Sequence, residues 1–331
     1  MEAGSFTAAR GGRSALERSS RSRALDPLLR WVLTGMAAFI LLLIAFFFVR
    51  LFIEAKPAFD KFGYLGFTFD NNWDVSKEIF GAWPLLVGTL ITSAIALIIG
   101  VPVAIATALY ITELCPRRAR QPLTIVVELL AAVPSVVYGL WGIKVLAPKL
   151  QPAEQWFSDK FSFLPLVGGP VSIPNCFIAG LIMAIMILPI VSAISREVMA
   201  TVPSQDKEGA LALGATRWEM IRIAVLPYSR AGISGAAMLG LGRAIGETIA
   251  VTIVIGNAPN VPQSIFSQGY TLAAVIANEF NEAASDPTHR AALIAAGLVL
   301  FVLTLLVNAI ARYYVNRASR GKRTVPAGMA G

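Results

Sequence analysis

Six stretches of about twenty apolar residues, set between polar loops, constrain this chain more than any other feature. At about 1.5 Å of rise per residue, a helix of that length matches the hydrocarbon thickness of a bilayer. In lipid the backbone must satisfy its own hydrogen bonds, so each stretch is expected to be helical. The first, Trp31 to Val49, is too long for a signal-peptide core and lacks a convincing cleavage site. The others lie at about 84–110, 123–147, 175–195, 231–257 and 291–314. Only 15% of the 331 residues are charged, against about a quarter in ordinary soluble domains. The expected fold class is an all-α integral membrane protein with six transmembrane helices. Residues 1–30 read as a disordered basic tail, 31–315 as the membrane domain, and 316–331 as a second basic tail.

Orientation follows from where Lys and Arg fall. The N-terminal tail carries Arg10, Arg13, Arg18, Arg21, Arg23 and Arg30. In the next loop Lys56, Lys61 and Lys77 are outnumbered by Glu54, Asp60, Asp70, Asp74 and Glu78. Arg117, Arg118 and Arg120 fill the second loop, and Arg196, Lys207, Arg217 and Arg222 the fourth. The fifth, about 258–289, has no Lys or Arg, and the C-terminal tail returns Arg312, Arg317, Arg320, Lys322 and Arg323. This alternation places both termini in the cytoplasm. It also accounts for the net charge of +8 without a nucleic-acid partner, since no basic patch is interleaved with aromatics.

Several chemistries are excluded. Cys115 and Cys176 form no CxxC pair and fall on opposite faces of the expected topology, so no disulfide joins them. With His289, placed at an exposed loop edge, they make a zinc site or a Cys–His nucleophile improbable. No Gly-Lys-Ser or Gly-Lys-Thr occurs, so the chain has no phosphate-cradling P-loop. Gly240, Gly242 and Gly246 lack dinucleotide spacing and read instead as small residues that let helices approach closely. Pro102, Pro134 and Pro189 fall inside spans, as packing kinks or gating hinges. No inverted repeat stands out to argue for a secondary transporter.

Two features carry function. The fourth loop, Val202–Pro227, is too patterned for a simple turn. Ser204 and Asp206 are placed to cap a helix, and Ala210, Leu211, Leu213, Trp218 and Ile221 recur at near-helical spacing. Gly214 can break the run, and Pro227 is expected to end its second piece. The prediction is two short helices forming a knob that another protein can hold. The other feature is Arg243 with Glu247, expected one turn apart on one face in the middle of the fifth span. A mid-bilayer Arg costs about 2.5–3.5 kcal/mol on insertion scales, so it should face protein or a wet cavity. A guanidinium suits an oxyanion, and a carboxylate beside it keeps the site from becoming a trap. The alternative is a structural salt bridge. Thr248 and Thr252 extend the polar stripe or bond their own backbone. Glu128 is a candidate to pair across helices, and Lys144 to snorkel outward.

Glu208-Gly209-Ala210, Gly214, Ile223, Leu226 and Pro227 resemble the EAA loop of ABC-importer permeases, with Gly209 for the family's first Ala and one residue added between Ile223 and Leu226. Gly240–Val251, Ala132–Gly142 and Thr271–Phe280 are similar to the PstC permeases of bacterial phosphate importers. The likeness covers most of the chain from about residue 84 onward. It implies a type I ABC importer (MetI-like) permease fold in a bacterial cell membrane, with the loop's helix docked in an ATPase cleft. It also implies a PstA-like sister permease, two copies of the ATPase subunit and an extracytoplasmic phosphate-binding protein. Arg243 and Glu247 match residues associated in that family with phosphate passage. No cofactor is implied for this chain; ATP and magnesium belong to the ATPase. The alternatives are the same architecture carrying sulfate or molybdate, an ATP-independent channel or carrier, or a scaffold.

Overall fold

The structure, a computed structural model, describes residues 20–320. Residues 1–19 of the expected tail, and 321–331 of the other, lie outside the described residues. Helix α1 runs Ser20–Phe62, beginning eleven residues before the expected start of the membrane domain, because its Arg-, Ala- and Leu-rich lead favours helix and continues through Pro27. The chain divides into two compact units. In the first, ending at Arg50, the described side chains of α1 are mostly exposed, as a lipid-facing helix requires.

The second unit begins at Leu51 and holds every other element. The short helix α2 (Tyr64–Phe69) leads to a two-stranded antiparallel hairpin that the sequence does not announce. Its strands are β1 (Trp73–Asp74) and β2 (Ile79–Phe80), with Trp73 opposite Phe80. There follow α3 (Trp83–Leu109), prolonged by a π turn at Tyr110–Leu114, then α4 (Arg117–Ala132), α5 (Ser135–Trp141) and, past a second π turn, α6 (Ala147–Lys160). Helix α7 (Cys176–Ala200) precedes α8 (Ser204–Ala212), α9 (Arg217–Met220) and α10 (Leu226–Gly246). Last come α11 (Ile249–Val254), α12 (Leu272–Glu279) and α13 (Pro287–Arg320).

Among the described residues, four helices are long and apolar enough to cross a membrane: Pro27–Phe62, Trp83–Leu114, Cys176–Ala200 and Pro287–Tyr313. Two expected spans are not single helices. The third bends by 91° between Ala132 and Ser135, where Val133 is extended and Pro134 cannot donate; counted as one span it makes a fifth. The span expected at 231–257 starts earlier, stops at Gly246 and resumes at Ile249. Pro102 and Pro189, by contrast, sit inside continuous helices.

The core is built from α3, α5, α7, α10 and α11 around Ile178, Ile182, Ile187, Val191, Val251 and Val254. Small residues bring its backbones together, as expected where lipid offers no hydrophobic drive between helices. A Cβ on Gly180 would fall 2.6 Å from Ile95, and one on Gly240 2.8 Å from Val191 Cγ2. Gly242 and Gly246 meet nothing within 4 Å, so of the three glycines only Gly240 serves helix approach. Cys115 and Cys176 are both free and buried.

His289 is a correction. It stands in the first turn of α13, at the loop edge expected, but is 2% exposed: its ring stacks on Phe80 at 5.2 Å, and its Nε2 lies 3.0 Å from Glu279 Oε2. The same oxygen accepts from Trp73 Nε1 at 3.0 Å, so one carboxylate joins the hairpin, α12 and the start of α13. Distant partners buried this side chain, and local polarity could not reveal them.

Candidate functional site

The loop between α7 and α10 folds into the expected knob by chemistry that differs from expectation. Pro203, not Ser204 or Asp206, is the cap residue of α8, and no side chain caps it; Asp206 instead sits in the first turn, where the helix dipole favours an anion. The C-terminal end follows the sequence. Gly214 adopts φ +86°, its N–H donates to Leu211 O at 3.0 Å, and Ala215 N donates to Ala210 O at 3.2 Å, a Schellman closure. Thr216 then starts α9 with a capping box: its backbone N–H donates to Glu219 Oε2 at 2.8 Å, and Glu219 N donates back to Thr216 Oγ1. The Thr216 N–H, with the Thr216 hydroxyl that also donates to Glu219 Oε2 at 2.8 Å, lowers the Glu219 carboxyl from its ordinary value. The Thr-x-x-Glu spacing is the sequence signal that could have found this start.

Pro227 does not end the second piece. Helical backbone runs on from α9 through a π turn at Ile221–Val225 into α10, with Pro227 in α10's first turn. The wider turn just ahead of the proline accommodates its missing N–H and bulky ring. A rod of roughly 30 residues, about 45 Å by helical rise, therefore joins the knob to Arg243.

The knob has two faces. Ala210, Met220, Ile221 and Val225 pack inward with Val202, on Ala108 near the end of α3 and Met199 near the end of α7. Lys207 donates to Glu113 Oε1 at 2.6 Å with both side chains largely buried, tying α8 to the π turn that ends α3. Those residues are 94 apart, and nothing in the sequence pairs them. Outward stand Leu211, Trp218 and Leu213, the last 91% exposed, with Glu208 and Gly209 also on the surface. Gly209 has open space around it, so the alanine usual in the resembled family would fit here.

Arg243 and Glu247 do not share one helical face. Glu247 is extended (ψ 126°) and ends α10; its Oε1 accepts from Ala250 N at 3.4 Å at the head of α11. Among the described residues no ion pair joins the two. Arg243 is exposed, Glu247 and Thr248 half-buried. Thr248 donates to Gly246 O at 3.2 Å and Thr252 to Thr248 O at 2.8 Å, so both hydroxyls serve the local backbone. Weak helix-formers at Gly242 and Gly246, with a carboxylate that prefers capping α11, open the helix here. The result is an exposed guanidinium on the last turn of a rod, beside unwound backbone. Glu128 pairs across helices with Arg196 on α7 at 2.8 Å.

Residues 100–320 match the family model described as the binding-protein-dependent transport system inner membrane component. A phosphate transport system permease protein PstC of Mesorhizobium japonicum is 44% identical over 311 residues, covering 92% of this chain and 94% of that protein. PstC 2 of Mycobacterium tuberculosis is 45% identical over 280 residues, 82% of this chain and 85% of its own. In fold, the chain resembles a component of a bacterial alginate ABC transporter solved with an alginate-bound periplasmic protein; TM-score is 0.59 at 20% identity, over 89% of this chain and 97% of that one. With an exposed apolar knob, a continuous rod and a mid-span arginine already in place, these relationships make the chain a member of the binding-protein-dependent transport permeases, within their PstC family.

Proposed function

We propose that this chain is the permease subunit of an ATP-driven phosphate importer, with Arg243 on the anion path and the 206–226 knob as the point where the ATPase applies force. The observation that carries the reading is the unbroken helix from the knob to Arg243, since it makes one body of the part a motor would hold and the charge a cargo would pass. An exposed Leu211–Leu213–Trp218 surface suits a protein groove, and the inner packing plus Lys207–Glu113 carries a push into α3, α7 and α10.

Arg243 offers a planar set of donors to phosphate oxygens and, being exposed on this chain, calls for a wet path or a partner chain beside it. Glu247, drawn toward α11, leaves the guanidinium unneutralised but near a negative charge that favours release. The resemblance supplies the rest of the assembly: a PstA-like sister permease across the path, two ATPase subunits that take ATP and magnesium, and an extracytoplasmic phosphate-binding protein. In the bilayer we place six crossings, counting the bent pair and α10–α11 as one each, with both termini and the knob in the cytoplasm. Transport is by alternating access, with no covalent step in this chain.

Phosphate uptake by vesicles holding the whole complex tests the reading. Arg243→Ala should lower uptake by at least tenfold while the complex still assembles. Unchanged uptake would remove Arg243 from the path, and sulfate or molybdate competing equally with phosphate would defeat the cargo assignment. Recovery of the chain without any ATPase subunit would favour an ATP-independent carrier.

A further inference from the structure

At the bend between α4 and α5, Pro134 has no N–H to give the carbonyl of Leu130, the acceptor four residues back that a continuous helix would satisfy. The Tyr138 hydroxyl gives its own: it donates to Leu130 O at 2.7 Å, reaching back across the 91° bend. An orphaned carbonyl in a bilayer is costly, so this bond selects the bent arrangement over looser ones.

Tyr138 also stands where two broken spans meet. Its side chain is 9% exposed. The next residue, Gly139, seats α5 on α11; a Cβ there would lie 3.2 Å from Ala250 Cα. Ala250 is the residue whose N–H the Glu247 carboxylate receives. Helix α5 therefore meets the head of α11, just past the break that follows Arg243, through its glycine, while α10 is seated on α7 through Gly240. Both halves of the broken span pack on α7, and the second packs on α5 as well.

We propose that Tyr138 is a positioning residue for transport: its hydroxyl latches the bend at Pro134 and so fixes α5 against α11, just past the helix end that carries Arg243. The proposal rests on Arg243 lying on the anion path, but the latch itself is a statement about this chain's geometry. A hydroxyl that was merely satisfied by a convenient acceptor would have no tie to the proline.

The test is a cycle of Tyr138→Phe and Pro134→Ala in the assembled complex, which keeps the ring and restores the missing N–H respectively. Readouts are phosphate uptake per assembled complex and the distance between spin labels at exposed Ile125 on α4 and Leu140 on α5. Tyr138→Phe alone should lower uptake about tenfold, the scale of one lost buried hydrogen bond, and broaden the label distance. In the Pro134→Ala background the restored backbone N–H supplies the donor. Adding Tyr138→Phe there should change the distance distribution little and uptake less than twofold. A wild-type distance distribution in Tyr138→Phe, or equal broadening with and without Pro134→Ala, would overturn the latch. Should the unaltered complex import no phosphate, the functional reading fails, while the label distances still decide the latch.

Discussion

At the level of single residues, glycine position separates two roles that look identical in the sequence. Gly240 and Gly242 are two apart in the same helix, yet one is pressed on Val191 and the other faces open space. Valine is stiff at χ1 and cannot swing aside, so a methyl on Gly240 must push α10 from α7. Gly240→Ala should therefore destabilise the permease by about 1–3 kcal/mol, the cost of overpacking. Gly242→Ala should be neutral or slightly stabilising, through better helix propensity. Thermal unfolding of the purified complex checks both, and equal effects at the two positions would contradict the packing. Arg243 shows a related limit: its charge in an apolar stretch was plain, but its separation from Glu247 was not. Helical spacing presumes a continuous helix, and Glu247 ends this one.

Among elements, the knob was readable because its signals are local. Gly214 takes the left-handed conformation that its place between two apolar runs suggested, and α8 and α9 form on either side. What was not readable is how the knob is fastened. Lys207 and Glu113 are largely buried. Removing Lys207 leaves an uncompensated carboxylate at the end of α3, at a cost of about 3 kcal/mol. Lys207→Met should loosen α8 from α3, so that ATP hydrolysis by the assembled complex continues while phosphate uptake per ATP falls several-fold. Paired assays on one preparation decide it; parallel loss of both activities would point to failed assembly instead. Pro227 and Pro134 show why a proline alone does not foretell its outcome. At the first, a π turn absorbs the defect and the helix continues; at the second, Tyr138 satisfies the stranded carbonyl and the chain turns.

For the whole molecule, charge placement predicts sidedness and the fold makes that prediction measurable. Leu213, at the knob's tip, and Val75, in the hairpin turn, are both exposed. A membrane-impermeant thiol reagent added to intact cells should label Val75→Cys and spare Leu213→Cys; lysed cells should give both. Labelling of Leu213→Cys from outside would invert the topology. The native thiols, Cys115 and Cys176, are buried and should contribute little background.

Length and hydrophobicity along the chain were enough to determine membrane helices as the building material, because a bilayer forces any long apolar backbone to bond to itself. Local turn chemistry likewise sufficed for a two-part knob in the fourth loop. Tertiary structure alone decided where helices stop within apolar runs, since ending one requires an outside partner for the stranded backbone groups. Such partners were found at Tyr138 and Glu247. It also decided which charges meet, because Lys207 with Glu113 and His289 with Glu279 are joined by folding rather than by neighbourhood in sequence. Hydrophobic pattern is a property of segments, whereas the satisfaction of a buried polar group belongs to whatever the fold places within about 3 Å of it.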